Sequence, residues 1–181
     1  MRFDATAAFR YALLAVGLGL CLVTNPPARA DGGGGGGSNG TCPPGEVYDA
    51  RSMQCVKQKG SLLPDSQLTD YAYALAKAER YPEALQVLDL LKNPNTAKAL
   101  NYRGYATRKL GRLEEGIAYY RKSVALDPRY AQVREYLGEA YVTKGDMAGA
   151  KAQLRAIQLI CGIGCEQYQH LAEAIAQHPK T

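Results

Sequence analysis

Apolar residues in the second half of the chain recur with the spacing of one face of a helix. The first such run has apolar side chains at positions i, i+3, i+4 and i+7, which are Leu68, Tyr71, Ala72 and Leu75. That spacing is typical of an amphipathic helix packed on one side. Pro82 follows the run and suits the first turn of a second helix, and the Asn-Pro-Asn sequence at 93–95 ends that helix. The pattern therefore predicts a helical hairpin.

The small residues of this region return at a fixed interval. Three pairs are each 34 positions apart, namely Gly104 and Gly138, Gly111 and Gly145, and Gly116 and Ala150. A period of this length indicates a stack of helical hairpins. Beyond Cys165 the apolar residues again share one helix face, at Tyr168, Leu171, Ala172 and Ile175.

Residues 99–106, 111–117 and 126–128 resemble the middle, turn and end of a tetratricopeptide repeat (TPR). The resemblance extends over about two thirds of the chain and implies an all-α fold, a TPR-type solenoid of helical hairpins. It implies three repeats and a C-terminal capping helix, at 65–96, 97–130, 131–164 and 165–177. The polar outer face of the last helix would solvate the end of the stack.

Several residues have expected roles in such a solenoid. Small side chains let the two helices of a hairpin cross closely, which we expect at Ala72, Ala84, Gly104, Gly116, Gly138 and Ala150. Gly111 and Gly145 are expected to take the left-handed backbone conformation that ends a helix. Arg103 departs from the family pattern, which has a buried leucine there. We expect its stem to pack while the guanidinium reaches water or a carboxylate such as Glu139.

The first thirty residues differ in kind from the rest. Two arginines flank a start with little charge, an apolar run of roughly thirteen residues follows, and Ala-Arg-Ala closes the segment. This is the pattern of a signal peptide at 1–30 with a cut after Ala30, and the run is too short to anchor the mature chain in a membrane. A lipoprotein signal at Cys21 is disfavoured because Leu20 stands where a small residue is expected. The glycine-rich segment 31–41 is expected to be a flexible linker.

Four cysteines remain after the expected cut, namely Cys42, Cys55, Cys161 and Cys165. An even number of cysteines in an exported protein favours disulfide bonds, and the periplasm or the extracellular space as its location. Three pairings are possible, and proximity in the sequence favours Cys42 with Cys55 and Cys161 with Cys165. The first pair would close a small hairpin module at 42–57. Few apolar residues lie in this module, so we expect it to depend on its crosslink.

Charge and motifs argue against several classes of function. Loss of residues 1–30 takes the formal net charge from +5 to +3, a mild basic balance that does not indicate a nucleic-acid partner. The remaining chain has two histidines, His170 and His178, and none of the motifs of serine hydrolases, zinc proteases or phosphate-binding loops. We therefore expect no catalytic activity, no cofactor and no metal. Cys161 and Cys165 lack the Cys-x-x-Cys spacing, so a structural disulfide is favoured over a redox or zinc pair.

Partners of TPR proteins generally lie in the groove formed by the first helix of each repeat, and the resemblance transfers that role to matching positions here. They are Thr69, Tyr73 and Lys77 in the first repeat, Lys98, Asn101, Tyr105, Arg108 and Lys109 in the second, and Glu135, Glu139 and Val142 in the third. Such a groove suits a peptide or helix of mixed charge. Some family members hold a C-terminal carboxylate with Lys, Asn and Arg, but here the matching positions are Thr69, Tyr73, Tyr102, Gln132 and Tyr136, so that clamp is missing.

The sequence thus predicts an exported bacterial TPR protein that acts as a non-enzymatic adaptor for another envelope or secreted protein. Self-association through an open N-terminal edge of the short stack is a further expectation. Two rival hypotheses remain. In the first, the Cys42 to Cys55 module binds cell-wall glycan by stacking Tyr48 on a sugar ring. In the second, Cys161 and Cys165 act as a thiol-redox pair.

Overall fold

The computed structural model describes residues 41–58 and 63–177. The signal peptide at 1–30, the cut after Ala30 and nearly all of the linker predicted at 31–41 lie outside these residues, as does His178. Of the helices in the described ranges, none combines the length and apolar character that a membrane crossing requires.

Within the described residues, seven helices follow a two-stranded hairpin. The strands are β1 (Glu46–Asp49) and β2 (Gln54–Lys57), which pair antiparallel with Val47 opposite Val56. The helices are α1 (Asp65–Lys77), α2 (Tyr81–Leu88), α3 (Ala97–Lys109), α4 (Leu113–Leu126), α5 (Ala131–Lys144), α6 (Met147–Cys161) and α7 (Glu166–Gln177). The pairs α1–α2, α3–α4 and α5–α6 pack as hairpins, and α7 packs on α5 and α6. This arrangement confirms the predicted fold class, a three-hairpin solenoid with a final helix.

The turns inside the hairpins use left-handed backbone, as expected. Gly111 has φ +83° and Gly145 has φ +84°, and at such angles a residue with a side chain is strained. The equivalent position of the first hairpin is occupied by Glu79, which has φ +62°. Asp146 then begins α6, since its Oδ1 accepts a hydrogen bond from the Gly149 N–H at 2.8 Å.

The helices of the second hairpin cross at two glycines. A Cβ on Gly104 would lie 2.8 Å from the ring of Tyr120, and one on Gly116 would lie 3.0 Å from the Gly104 carbonyl oxygen. The expected close crossing is therefore confirmed for this pair. For Gly138 the expected partner, the second helix of its own hairpin, was wrong. A Cβ on Gly138 would instead meet the side chain of Leu171 on α7, with Cδ1 at 2.7 Å. Gly138 makes room for the final helix.

The strand hairpin packs onto the first repeat. Val47 and Cys42 are fully buried in the same apolar cluster as Leu68, Ala72 and Leu75 of α1. These side chains cover part of α1, the first helix of the stack. Self-association through the N-terminal edge stays a prediction.

Backbone hydrogen bonds tie Cys42 to the first repeat. Its N–H donates to the hydroxyl of Tyr71 at 2.8 Å, and its carbonyl accepts from Nη1 of Arg80 at 2.6 Å. A buried backbone group without a partner is costly, and these two side chains bond both polar backbone groups of the buried Cys42. The module thus depends on α1 as well as on its crosslink.

Both favoured disulfides are present. Cys42 pairs with Cys55, and Cys161 pairs with Cys165. The second bond joins the last residue of α6 to the residue before α7. Gly162 lies inside this small ring with φ +81°, a conformation that glycine adopts without strain.

Arg103 finds a partner other than the one expected. Its Nη1 lies 2.7 Å from Oδ1 of Asp89, just after α2, and its side chain is 17% exposed. The expected packing of the stem is confirmed, whereas the suggestion of Glu139 as its carboxylate was wrong. Asp89 comes from the preceding hairpin, so the ion pair links the first repeat to the second.

Candidate functional site

A cavity of about 310 Å³ lies among the first helices of the hairpins and α7. Helix α3 contacts both α1 and α5, and α5 contacts α7. We call this cavity the groove. It is lined by Tyr73, Lys77, Tyr105, Arg108, Lys109, Gln132, Glu135, Tyr136, Glu139, Glu166, Gln167 and His170.

Seven of the eleven residues predicted for partner binding line the groove: Tyr73, Lys77, Tyr105, Arg108, Lys109, Glu135 and Glu139. The other four lie elsewhere. Lys98 is exposed and forms an ion pair with Asp70, and Val142 packs against the apolar cluster shared by the second and third repeats. The binding role of the seven groove residues stays a prediction.

Thr69 and Asn101 were wrongly placed on the outward face. Thr69 is 5% exposed, and its hydroxyl donates to the Asp65 carbonyl at 2.6 Å within its own helix. Asn101 is fully buried, and its Nδ2 donates to the hydroxyl of Tyr130 at 3.1 Å and to Oε1 of Gln132 at 3.3 Å. These side chains stabilise the helices beneath the groove.

Five groove residues were not predicted to bind a partner: Gln132, Tyr136, Glu166, Gln167 and His170. Gln132 and Tyr136 were considered only as positions of the missing carboxylate clamp, and α7 only as a solvating cap. The 34-residue period carried a usable signal, because Glu166 and His170 stand one period after Gln132 and Tyr136. The final helix is therefore a wall of the groove as well as a cap.

Tyrosines form the floor of the groove. The rings of Tyr105 and Tyr136 lie 5.1 Å apart, and the hydroxyls of Tyr73 and Tyr136 lie 3.5 Å apart. Tyr120 is fully buried below them, 6.2 Å from Tyr136. Burial raises the pKa of the Tyr105 and Tyr136 hydroxyls. The floor consequently offers aromatic faces together with neutral hydroxyls that can donate hydrogen bonds.

One ion pair crosses the middle of the groove from α3 to α5. Nη2 of Arg108 lies 2.9 Å from Oε2 of Glu139, and Nε of Arg108 donates to the hydroxyl of Tyr120 at 3.3 Å. The Arg108 side chain is 13% exposed and that of Glu139 is 28% exposed. Each charge in this pair is therefore neutralised within the fold.

A second pair joins α5 to α7. Oε1 of Glu135 lies 2.9 Å from Nδ1 of His170, and the Glu135 side chain is 7% exposed. Burial raises the pKa of the Glu135 carboxyl, partly offset by the hydrogen bond from His170. The hydrogen bond to Glu135 raises the pKa of His170, and the nearby charges of Glu166 and Glu139 raise it further. Protonation of His170 therefore strengthens the link between α7 and the groove.

Two lysines stand at the other end of the groove. Lys77 and Lys109 are the last residues of α1 and α3, and both are exposed. The Nζ atom of Lys109 lies 5.6 Å from the centre of the Tyr105 ring. Among the residues that the structure describes, neither lysine forms an ion pair.

The groove presents aromatic rings, hydroxyl groups and charged side chains at its surface. Of its three carboxylates, Glu139 is paired with Arg108, and Glu135 and Glu166 lie 2.9 and 3.9 Å from His170. Over residues 41–58 and 63–177, no three His, Cys, Asp or Glu side chains come together as a metal site would require.

Comparison with known proteins identifies the repeat. The TPR repeat family model matches residues 104–145, which span the second half of α3, all of α4 and α5. No protein with curated annotation matches the chain significantly.

Three solved structures are similar to this chain and cover 62% of it. The crystal structure of MamA has a TM-score of 0.53 at 18% identity, with 67% of that chain covered. PcrH in complex with the chaperone binding region of PopB has a TM-score of 0.51 at 17% identity and 92% coverage. The Yersinia enterocolitica type III secretion chaperone SycD, in complex with a peptide of the translocator YopD, has a TM-score of 0.52 at 17% identity and 87% coverage. At these identities the likeness concerns the fold.

The 34-residue period, the three stacked hairpins and the matched repeat agree with one another. On these grounds residues 104–145 are a tetratricopeptide repeat, and the described helices have a TPR-type fold.

Proposed function

We propose that this protein is a non-enzymatic adaptor that holds a segment of another protein in its groove. The observation that carries the proposal is the groove itself, a cavity of about 310 Å³ with a tyrosine floor and a charged rim. Rigid aromatic side chains provide contact area at a low cost in conformational entropy, which is why they dominate many binding surfaces.

Two of the similar structures support this proposal. PcrH is in complex with a region of PopB, and SycD is in complex with a peptide of YopD. In each case a protein of the same fold holds part of another protein. The TPR fold generally serves as a scaffold for such contacts, and the pairing of groove carboxylates with cations fits a binding role better than a catalytic one.

The location of the protein is part of the proposal. Residues 1–30 have the pattern of a signal peptide with a cut after Ala30, and two disulfides fit an oxidising compartment such as the periplasm. The partner would then be an envelope or secreted protein. Cell fractionation and mass spectrometry of the mature N-terminus test this part. An intact N-terminus in the cytoplasmic fraction would contradict it.

Site-specific photo-crosslinking tests the binding proposal. A photoreactive amino acid placed at Lys109 or Gln167 lies in the groove, whereas the same group at Lys122 or Lys151 is exposed on α4 or α6. We expect crosslinks to one identified protein from the groove positions alone, followed by direct binding of the crosslinked segment to the purified chain. Equal crosslinking from all four positions would refute the proposal.

The glycan-binding alternative has one observation in its favour. Tyr48 lines a second, shallower cavity of about 450 Å³ between the strand hairpin and α1, together with Pro64, Gln67 and Tyr71. Retention on peptidoglycan that Tyr48→Ala abolishes would support this alternative. The thiol-redox alternative predicts turnover of a disulfide substrate that Cys161→Ser abolishes.

A further inference from the structure

The charges of the groove are not balanced evenly from one end to the other. At the α5 and α7 end, Glu135 is paired with His170 at 2.9 Å, and Glu166 lies 3.9 Å from the same histidine. In the middle, Glu139 is paired with Arg108 at 2.9 Å. At the α1 and α3 end, within the described residues, Lys77 has no ion-pair partner and neither has Lys109. The two lysines are therefore the groove cations left to attract a ligand.

A basic ligand group in the middle of the groove would have to compete for Glu135 and Glu139, which already have partners. Glu166 is more exposed, and Nε2 of His170 lies 3.9 Å from it. Reaching Glu139 means displacing Arg108, whose side chain is 13% exposed and also bonds the hydroxyl of Tyr120. Separating a partly buried pair of this kind leaves a charge without a partner, which is costly. An acidic group approaching Lys77 and Lys109 breaks no ion pair among the described residues.

The lysines stand beside the aromatic floor. Lys109 lies over Tyr105 at 5.6 Å, and the Tyr105 ring lies 5.1 Å from Tyr136. A ligand carboxylate at Lys77 and Lys109 would therefore bring a neighbouring side chain onto the rings of Tyr105 and Tyr136. The cavity of about 310 Å³ has room for a few side chains, at the lower end of the usual range for binding pockets.

From this arrangement, and resting on the proposed adaptor function, we propose that the groove selects a protein segment in which an acidic residue adjoins an aromatic residue. The carboxylate is held by Lys77 and Lys109 at the α1 and α3 end. The aromatic side chain packs on Tyr105 and Tyr136. This arrangement fixes the orientation of the bound segment, whose acidic residue lies over the first two repeats.

A selection experiment with random peptides tests this specificity. A phage library of random short peptides is panned on the purified, disulfide-bonded full-length chain, and enriched peptides are measured by fluorescence anisotropy. The test variant is Lys77→Glu with Lys109→Glu. The matched control is Lys122→Glu with Lys151→Glu, which changes the net charge equally, and Lys122 likewise lies over a tyrosine ring, that of Tyr119, at 5.8 Å. All four lysines are exposed, and circular dichroism verifies that both variants fold.

We expect enriched peptides to carry Asp or Glu beside Phe, Tyr or Trp. Their affinity should fall roughly tenfold in the groove variant and stay unchanged in the control. Binding should also weaken as the salt concentration rises, since the lysines are exposed.

Two other outcomes separate the two proposals. Peptides that crosslink to a photoreactive group at Gln167 but lack acidic residues, or bind both variants equally, would overturn this specificity and leave the adaptor function standing. A failure of every enriched peptide to crosslink at Gln167 would overturn the adaptor function as well.

Discussion

The crossing of α3 and α4 predicts a sharp effect for one added methyl group. In Gly116→Ala the new Cβ would lie 2.9 Å from Cβ of Arg108, 3.0 Å from the Gly104 carbonyl oxygen and 3.2 Å from the Arg108 nitrogen. Two of these three atoms belong to the backbone of α3. The clash cannot be relieved by rotating a side chain, so the two helices must move apart.

The magnitude follows from two opposing effects. Overpacking of a well-packed contact costs about 1–3 kcal/mol, while replacing glycine by alanine within a helix gains up to about 1 kcal/mol. Because two of the three contacts are with backbone, we place the cost at about 2–3 kcal/mol. After the gain of about 1 kcal/mol, we expect Gly116→Ala to lower the free energy of unfolding by about 1–2 kcal/mol, or roughly 3–6 °C in melting temperature. The shift of α3 also moves Arg108, so the ion pair with Glu139 in the groove should weaken as well.

Urea unfolding followed by circular dichroism measures this effect. Gly164→Ala is the matched control, because a Cβ there would meet no atom within 4 Å. Gly104→Ala should fall between the two, since its nearest contact is the buried ring of Tyr120 at 2.8 Å, which has to retreat. If the free energies of unfolding of Gly116→Ala and Gly164→Ala differ by less than about 0.5 kcal/mol, the crossing of α3 and α4 has room for a methyl group.

Three further predictions concern protonation, backbone strain and docking of the strand hairpin. The pKa values of Glu135 and His170 are both raised in the folded state, so folding favours their protonated forms. The contribution of His170 to the stability of the fold is fully present below its ordinary pKa of 6.5, and it is lost as the pH rises through the raised pKa of the folded state. The free energy of unfolding should thus fall by about 0.5 kcal/mol between about pH 6 and about pH 8, a small change because half of the His170 side chain is exposed to solvent. His170→Gln should remove this pH dependence. Glu79→Gly relieves a left-handed glutamate at φ +62° and should stabilise the fold by about 1 kcal/mol, seen as a higher urea midpoint with unchanged slope; a lower midpoint would show that Glu79 is not strained. Tyr71→Phe leaves the buried Cys42 N–H without an acceptor and should cost about 1–3 kcal/mol in the same assay, and an unchanged midpoint would mean that the strand hairpin is not held by this bond.

The fold was predictable wherever the information repeats or is local. The 34-residue spacing of Gly111 and Gly145 fixed the positions of two turns, and each glycine has the left-handed backbone that the spacing implied. Disulfide pairing by proximity was also confirmed for both pairs. In these cases a residue and its partner lie close together in the chain, or a second copy of the pattern stands in the same sequence.

Contacts between distant segments were harder to predict. The bond between Tyr71 and Cys42 and the pair of Glu135 with His170 join residues about thirty positions apart, 29 and 35 in the sequence. Helical spacing says which face of a helix is apolar but not which polar group will meet it. The same limit explains Arg103, whose partner Asp89 lies in a different hairpin from the expected Glu139.

Within the groove, the repeat pattern identified which positions of α3 and α5 face outward, but it did not show how deeply each side chain is buried. Asn101 occupies such a position and is nevertheless fully buried, because Tyr130 and Gln132 from the next hairpin cover it. The contribution of α7 was missed because the helix was judged by its polar face alone. A polar face can solvate an end and also line a cavity.

The position of α7 has a consequence for when the groove exists at all. Glu166, Gln167 and His170 are synthesised after every other residue that lines the groove, yet they form one of its walls. A chain that is still emerging has the lysines and the tyrosine floor but not this wall, and Glu135 has no histidine beside it. The groove is therefore complete only when α7 has been made, and any binding that requires this wall has to wait for the last helix.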